Sequence, residues 1–223
     1  MTENTKLPQR REAVRLKNAR KLSTSSQRWL QRQLNDPYVT AAKAAGWRSR
    51  AAFKLIELDE KYKLIGKGAR VLDLGAAPGG WSQVALERGA AKVVGIDLLE
   101  IQPVPGADFI QGDFLEEGME ARLTEMLGGK ADLVMSDMAP NTSGHVATDH
   151  LRIMALAETA LAFACDILAP EGVFVAKLFQ GGAEKGMLTT LKLRFRSVKH
   201  AKPPASRKDS KEMYVVATGF RPD

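Results

Sequence analysis

A chain of 223 residues with 44% hydrophobic content is long enough to bury one real core and excludes disorder along its whole length. Its single cysteine, Cys165, excludes an intramolecular disulfide and a cysteine-built zinc site. No apolar secretory segment is evident, and the longest apolar run, 156–165 with Glu158 inside it, falls far short of a membrane span, so a reducing, cytoplasmic location is expected. The net charge of +7 is uneven: residues 1–50 hold 12 Lys and Arg against 3 Asp and Glu, 51–175 hold 10 against 19, and 176–223 hold 11 against 4. Basic flanks around an acidic middle suit a polyanion, RNA or DNA, because each cation placed on a phosphate releases counterions.

Arg10, Arg11, Arg15, Lys17, Arg20 and Lys21 in the first 22 residues read either as a phosphate-binding arm or as a solvated tail. Ser25 and Ser26 then offer an N-cap for a helix through Trp29, Leu30, Gln33 and Leu34 that Pro37 ends. A basic tail over 1–24 is therefore expected before a single domain over 25–223. The next helix is expected over about 49–62, where Ala52, Phe53, Leu55 and Ile56 share one apolar arc while Arg50, Lys54 and Lys61 lie outside it. That reading points Lys54 away from the core, as a solvated residue. From Arg70 onward short apolar strands alternate with helical stretches, the pattern of a parallel sheet covered by helices on both faces. Strands are expected at 70–74, 92–96, 108–111, 132–136 and 172–176, and helices at 80–88, 117–127 and 151–168. Two last strands, 194–199 and 212–218, flank a loop too short for a crossover helix and should pair antiparallel.

The first of these strands runs through Val71-Leu72-Asp73-Leu74 into Gly75-Ala-Ala-Pro-Gly-Gly80 and then a helix, the arrangement in which backbone approaches a nucleotide-like ligand. It is neither G-x-G-x-x-G nor G-x-x-x-x-G-K-[ST], so neither a pyrophosphate nor a triphosphate is its expected ligand. Asp97 ends the second strand, where such folds place an acid for ribose hydroxyls. Asp113 repeats the device one strand later, suited to a base amino group, and Asp137 ends the fourth. Singly each reads as a turn residue or helix cap; three in succession on the ligand-binding edge indicate a site. His145 and His150 show no metal-ligand pattern, and with three histidines and one cysteine no metal centre is expected.

Asp73-Leu-Gly-Ala-Ala-Pro-Gly-Gly-Trp-Ser82, Gln111-Gly-Asp-Phe114 and Ser136-Asp-Met-Ala-Pro-Asn141 together resemble the FtsJ/RrmJ-type RNA 2′-O-ribose methyltransferases, and within them the branch acting on large-subunit ribosomal RNA. The resemblance extends from about Ser25 through Arg48 to Ala51, Lys54, Lys177-Leu-Phe-Gln180 and Ser206-Arg207 to the end. It implies a Rossmann-like α/β fold with a seven-stranded, mostly parallel sheet and an antiparallel C-terminal hairpin, and S-adenosylmethionine as cofactor. It also implies a catalytic tetrad, which falls on Lys54, Asp137, Lys177 and Glu212. The cofactor contacts it implies are Gly79, Trp81, Asp97 and Asp113, with Asp137 close to the methyl group. The substrate implied is a uridine in the A loop of 23S rRNA within the assembled 50S subunit, and a monomer is expected.

Methyl transfer to a ribose hydroxyl is a displacement at a sulfonium carbon, and the weak nucleophile must lose its proton. A lysine accepts it only when neutral. Lys177, following the apolar run 172–176, is placed at the end of a buried strand, and lysine is rarely buried without a partner or a purpose. It is the expected proton acceptor, although nearby carboxylates oppose deprotonation while Lys54 and a sulfonium favour it. Taken without the resemblance, Lys54 and Glu212 would pass as ordinary surface residues. Two alternatives remain open: the same reaction on another RNA such as tRNA, and a non-enzymatic RNA-binding ribosome-assembly factor on the same fold. An intact glycine loop and tetrad speak against the latter, since neither is needed for binding alone.

Overall fold

The computed structural model describes residues 23–140, 144–180 and 185–222; of the expected tail over 1–24, residues 1–22 lie outside them. In chain order the elements are α1 (Thr24–Leu34), α2 (Pro37–Ala44), α3 (Ala52–Tyr62), β1 (Arg70–Leu74), α4 (Gly80–Glu87), β2 (Lys92–Asp97), β3 (Ala107–Gln111), α5 (Met119–Leu127), β4 (Ala131–Ser136), α6 (Val146–Ile167), β5 (Leu168–Phe179), α7 (Lys185–Arg194), β6 (Phe195–Ala201) and β7 (Glu212–Phe220). One seven-stranded sheet runs β3-β2-β1-β4-β5-β7-β6. β1 to β5 pair in parallel, and β7 is antiparallel to both β5 and β6. The fold class is the Rossmann-like α/β sheet with an antiparallel hairpin that the sequence implies.

Strand alternation divides the core in two. Leu72, Leu74, Val94, Ile96, Val134, Val215 and Ala217 face α5, α6 and α7. Val71, Val93, Leu133, Met135, Val175, Tyr214 and Val216 face α3 and α4, packing on Leu55, Leu58, Trp81 and Val84. Helices therefore cover both faces, as an all-apolar parallel sheet requires.

Three local readings are corrected. The first helix begins at Thr24, because Ser23 rather than Ser25 or Ser26 is the N-cap, its hydroxyl oxygen accepting from the Ser26 N–H at 3.2 Å. Pro37 does not merely end that helix. It opens α2 as its first residue, where the missing N–H costs nothing, behind Asp36 as N-cap. A seventh helix, α7, precedes β6 where no element was expected. The boundaries of β5 also widen, to Leu168–Phe179, because its far end extends beyond the continuous apolar run.

The topology positions the site. Strand order reverses beside β1, so the crevice outside the carboxyl ends of β1, β2 and β4 is where such sheets hold ligands. The antiparallel insertion of β7 is equally decisive: its first residue, Glu212, pairs with Phe179, and Tyr214 pairs with Lys177. The start of β7 thereby reaches the same edge as the ends of the parallel strands.

Candidate active site

Four expected residues converge at that edge from four elements. Asp137, just after β4, lies 3.1 Å by its Oδ1 from Lys177 Nζ on β5 and 3.4 Å by its Oδ2 from Lys54 Nζ on α3. Lys177 also donates to the Asp137 backbone carbonyl. Lys54 lies 2.9 Å from Glu212 Oε1 at the start of β7. Both lysines are buried, Lys54 6% and Lys177 7% exposed. Lys54 is thus not the solvated helix residue its arc position suggested. It sits in the first turn of α3, where the helix meets the sheet edge, and its ammonium turns to the carboxylates.

Tyr214 completes the cluster. Its hydroxyl donates to Asp137 Oδ1 at 2.5 Å and lies 3.4 Å from Glu212 Oε1; with one proton to give, the shorter contact takes it. Burial first, and then the Asp137 and Glu212 charges, push the phenol well above its ordinary value of 10, so it remains a donor. For Asp137 burial alone would raise the pKa, but the Lys177 and Lys54 charges and the Tyr214 hydrogen bond outweigh it and hold the carboxyl below its ordinary value. The result is an anion fixed between two ammonium groups. A signal for Tyr214 existed: strand residues two apart share a face, and Tyr214 follows Glu212 by two.

Beside this cluster lies a cavity of about 660 Å³, lined among others by Gly75, Ala77, Asp97, Asp113, Phe114, Asp137 and Met138. Asp97 braces the glycine loop, accepting from the Ala77 N–H at 2.9 Å by Oδ2 and from the Leu99 N–H at 2.8 Å by Oδ1. Asp113 accepts from the Leu115 N–H at 3.0 Å. Exposed Leu98, Leu99 and Leu115 stand at the rim. The described lining residues include three carboxylates and no lysine or arginine, a composition that suits a nucleoside with a cationic tail and disfavours a phosphate. S-adenosylmethionine, a nucleoside whose sulfonium and ammonium outnumber its one carboxylate, fits those acceptors.

Gly79 and Trp81 stand apart from this wall. Gly79 is the N-cap of α4 at φ +97°, close against the Arg48 guanidinium and Val104. Trp81 is 4% exposed, donates its indole N–H to the Ala51 carbonyl at 2.8 Å and packs against the Tyr214 ring, centroids 5.7 Å apart. Its side chain supports the cluster from beneath and does not line the cavity. Among the described residues no group of His, Cys, Asp and Glu is arranged to hold a metal ion.

Gly75 is the loop position with least freedom. At φ +73° a Cβ would lie 2.1 Å from Met138 Cγ. Gly75→Ala is expected to destabilise the protein by about 2 kcal/mol, from left-handed backbone strain and displaced packing. Because Met138 lines the cavity, cofactor affinity should fall as well. Urea denaturation and calorimetric cofactor titration of the variant check both; wild-type values in both would remove this constraint.

Asp73 was not singled out from sequence, although a lone acid inside an apolar strand is a signal. It accepts from Ser82 Oγ at 2.7 Å at the start of α4. Burial, with the Asp137 and Asp97 charges adding to it, pushes its carboxyl up to about 7 against the Ser82 hydrogen bonds. The folded chain therefore holds a proton that the unfolded chain releases near pH 4. Stability from this group is fully present below about pH 4 and is lost as the pH rises to about 7. Asp137, shifted downward, acts in the opposite sense and only in more acid solution. Asp73→Asn should consequently gain on the wild type by about 2–3 kcal/mol between pH 5 and pH 8. Urea midpoints at the two pH values measure it, and a constant difference would show that Asp73 does not titrate there.

The model of the FtsJ-like methyltransferase family matches residues 47–220. Ribosomal RNA large subunit methyltransferase E of Acidiphilium cryptum is 72% identical over 223 residues, covering 100% of this chain and 99% of its own. That alignment includes the basic first 22 residues, which the resemblance read from sequence did not. The protein of the same name from Granulibacter bethesdensis is 70% identical over 214 residues, 96% of this chain and 93% of its own. A solved ribosomal RNA methyltransferase of Plasmodium falciparum superposes with a TM-score of 0.72 at 34% identity, covering 79% of this chain and 100% of that one. Together with a cavity that meets the four-residue cluster at Asp137, these similarities identify the chain as an enzyme of the FtsJ-like methyltransferase family.

Proposed function

We propose that the enzyme methylates the ribose 2′-hydroxyl of a uridine in the A loop of 23S rRNA, within the assembled large ribosomal subunit, with S-adenosylmethionine as donor. The observation that carries this reading is the double role of Asp137, which lines the cofactor cavity and binds both buried lysines. A hydroxyl brought to that point has a proton acceptor and a methyl donor on either side. When bound, S-adenosylmethionine would supply an electrophilic methyl group on its sulfonium.

Lys177 receives the hydroxyl proton, acting as a neutral amine after its ammonium has given one proton to solvent. A neutral amine has two N–H groups and one lone pair; Lys177 has two acceptors on Asp137, the carboxylate and the backbone carbonyl. The lone pair is left for the 2′-hydroxyl. Lys54, held between Asp137 and Glu212, keeps a fixed positive charge next to the developing alkoxide. Asp97 and Asp113 take the ribose and the base, the rim leucines cover the base, and Trp81 offers its backbone N–H at the start of α4, while that of Gly79 is taken by the Ala76 carbonyl. Asp137, besides orienting Lys177, places its negative charge near the sulfonium.

The substrate assignment rests on the relatives, whose names specify large-subunit ribosomal RNA, and on the resemblance for the uridine. A monomer acting in the cytoplasm accords with it; no helix among the described residues is long and apolar enough to cross a membrane. Labelled S-adenosylmethionine incubated with unmethylated large subunits, naked 23S rRNA and tRNA tests the substrate class. Incorporation into the large subunit is expected; preferential incorporation into tRNA would overturn the rRNA reading.

A further inference from the structure

The loop between β6 and β7 returns to the sheet edge carrying Ser206, and it is gripped there by side chains on and next to α3. Glu57, on α3, accepts the Ala205 N–H at 2.7 Å by Oε2 and the Tyr38 hydroxyl proton at 3.2 Å by Oε1. Arg50, one turn before Lys54, donates to the Ala205 carbonyl at 2.6 Å. Both polar groups of one residue in the loop are thus held by side chains of the segment that carries Lys54. Asp36 aligns the arginines behind this grip, 2.8 Å from Arg50 Nε and 3.4 Å from Arg207 Nη2. Ala205 is fully buried against Phe53, Ala41 and Ala42. The next residue, Ser206, is 4% exposed and donates its hydroxyl to Glu212 Oε1 at 2.7 Å, the same oxygen that meets Lys54.

From this chain of contacts we infer that Ser206, held in place by Glu57 and Arg50 through the Ala205 peptide, is a positioning residue that sets the Glu212 carboxylate against Lys54. The inference rests on the functional reading above and extends it to groups outside the tetrad. A half-buried carboxylate held by a lysine alone can rotate about its last side-chain bonds. A fixed hydroxyl on the same oxygen removes that freedom, so the Lys54 charge stays where Asp137 and the reacting hydroxyl need it. Arg50 is also occupied by this work, which accounts for a cation of the basic flank that is turned inward and not presented to solvent.

The experiment measures steady-state methylation of unmethylated large ribosomal subunits by Ser206→Ala, Glu57→Ala, Glu57→Gln and Ser206→Ala/Glu57→Ala, with Glu212→Gln as the reference. Ser206→Ala is expected to lower kcat by about 10- to 100-fold, the range for a lost hydrogen bond to a charged group, with KM for S-adenosylmethionine changed less than about two-fold. Glu57→Gln, which keeps the shape but only one carbonyl acceptor, should show a smaller drop of about three- to ten-fold with the same unchanged KM. The double variant should lose no more than the worse of its two single variants, because both act through Glu212. Turnover by Ser206→Ala within about two-fold of wild type, while Glu212→Gln is impaired, would overturn the positioning role and leave the functional reading standing. Fully multiplicative losses in the double variant would also overturn it. Undiminished turnover by Glu212→Gln would overturn the part given to Glu212, and the positioning role with it.

Discussion

Lys177→Ala is expected to bind S-adenosylmethionine within a few-fold of wild type and to lose turnover by about 10²–10⁴-fold, the usual contribution of a positioned acid or base. The split follows from where Lys177 sits. Its ammonium nitrogen contacts Asp137 and does not line the cavity, so the ground-state cofactor loses little when it is removed. The hydroxyl loses its proton acceptor, an interaction made only as the reaction proceeds. Asp137 keeps Lys54 and Tyr214 as partners, which limits the damage to the fold. Lys177→Met preserves more of the buried volume and should show the same kinetic defect, which separates loss of the amine from cavity formation in the alanine variant. Rapid-quench single-turnover methylation with saturating cofactor makes the comparison. Near-normal rates in both variants would remove Lys177 from proton transfer.

Asp97→Ala should fail differently. Both carboxylate oxygens are engaged by backbone N–H groups, of Ala77 in the glycine loop and of Leu99 at the cavity rim. Their removal unties two walls of the cavity as well as taking away the carboxylate offered to the ribose. Hydrogen bonds to charged groups contribute about 1.5–3 kcal/mol each, so the dissociation constant for S-adenosylmethionine should rise by at least about 10-fold and as much as about 100-fold. The single-turnover rate at saturating cofactor should change far less, because a ribose contact is the same in ground and transition states. Isothermal titration together with that rate separates the two. An unchanged dissociation constant would exclude Asp97 from the cofactor site.

The two variants bear on the parts of the molecule that the sequence made legible to different degrees. Asp97, Asp113 and Asp137 are visible because each ends an apolar strand, and parallel strands deliver their ends to one edge. Lys177 is visible for the same reason. Lys54 is not, since its position on the α3 arc argues for solvent, and only the approach of α3 to the sheet edge makes it a partner of Asp137. Glu212 depends on the direction of β7: the antiparallel pairing of β6 with β7 was legible from the short loop, but the register of β7 on β5, Glu212 against Phe179, was not. Trp81 illustrates the reverse case, a residue attached to the glycine loop by resemblance whose side chain the helix geometry of α4 turns into the core. Pro37 and α7 were missed as helices for local reasons, proline acting as a first residue in one case and a weakly amphipathic segment in the other. Ser206 is legible only as part of the resembling Ser206-Arg207 pair, and its role is not, because that role exists only once a loop has folded back onto Glu57 and Arg50.

Methyl transfer to a ribose hydroxyl at the Asp137 cluster is tested by the chemical location of the transferred group. Large subunits lacking the modification are incubated with the enzyme and methyl-labelled S-adenosylmethionine, the 23S rRNA is hydrolysed with alkali, and the products are resolved by mass spectrometry. A 2′-O-methyl group removes the hydroxyl that attacks the neighbouring phosphate, so the label should emerge in an alkali-resistant dinucleotide whose 5′ member is uridine. Label recovered in a mononucleotide, with the methyl group on the base, would contradict the account.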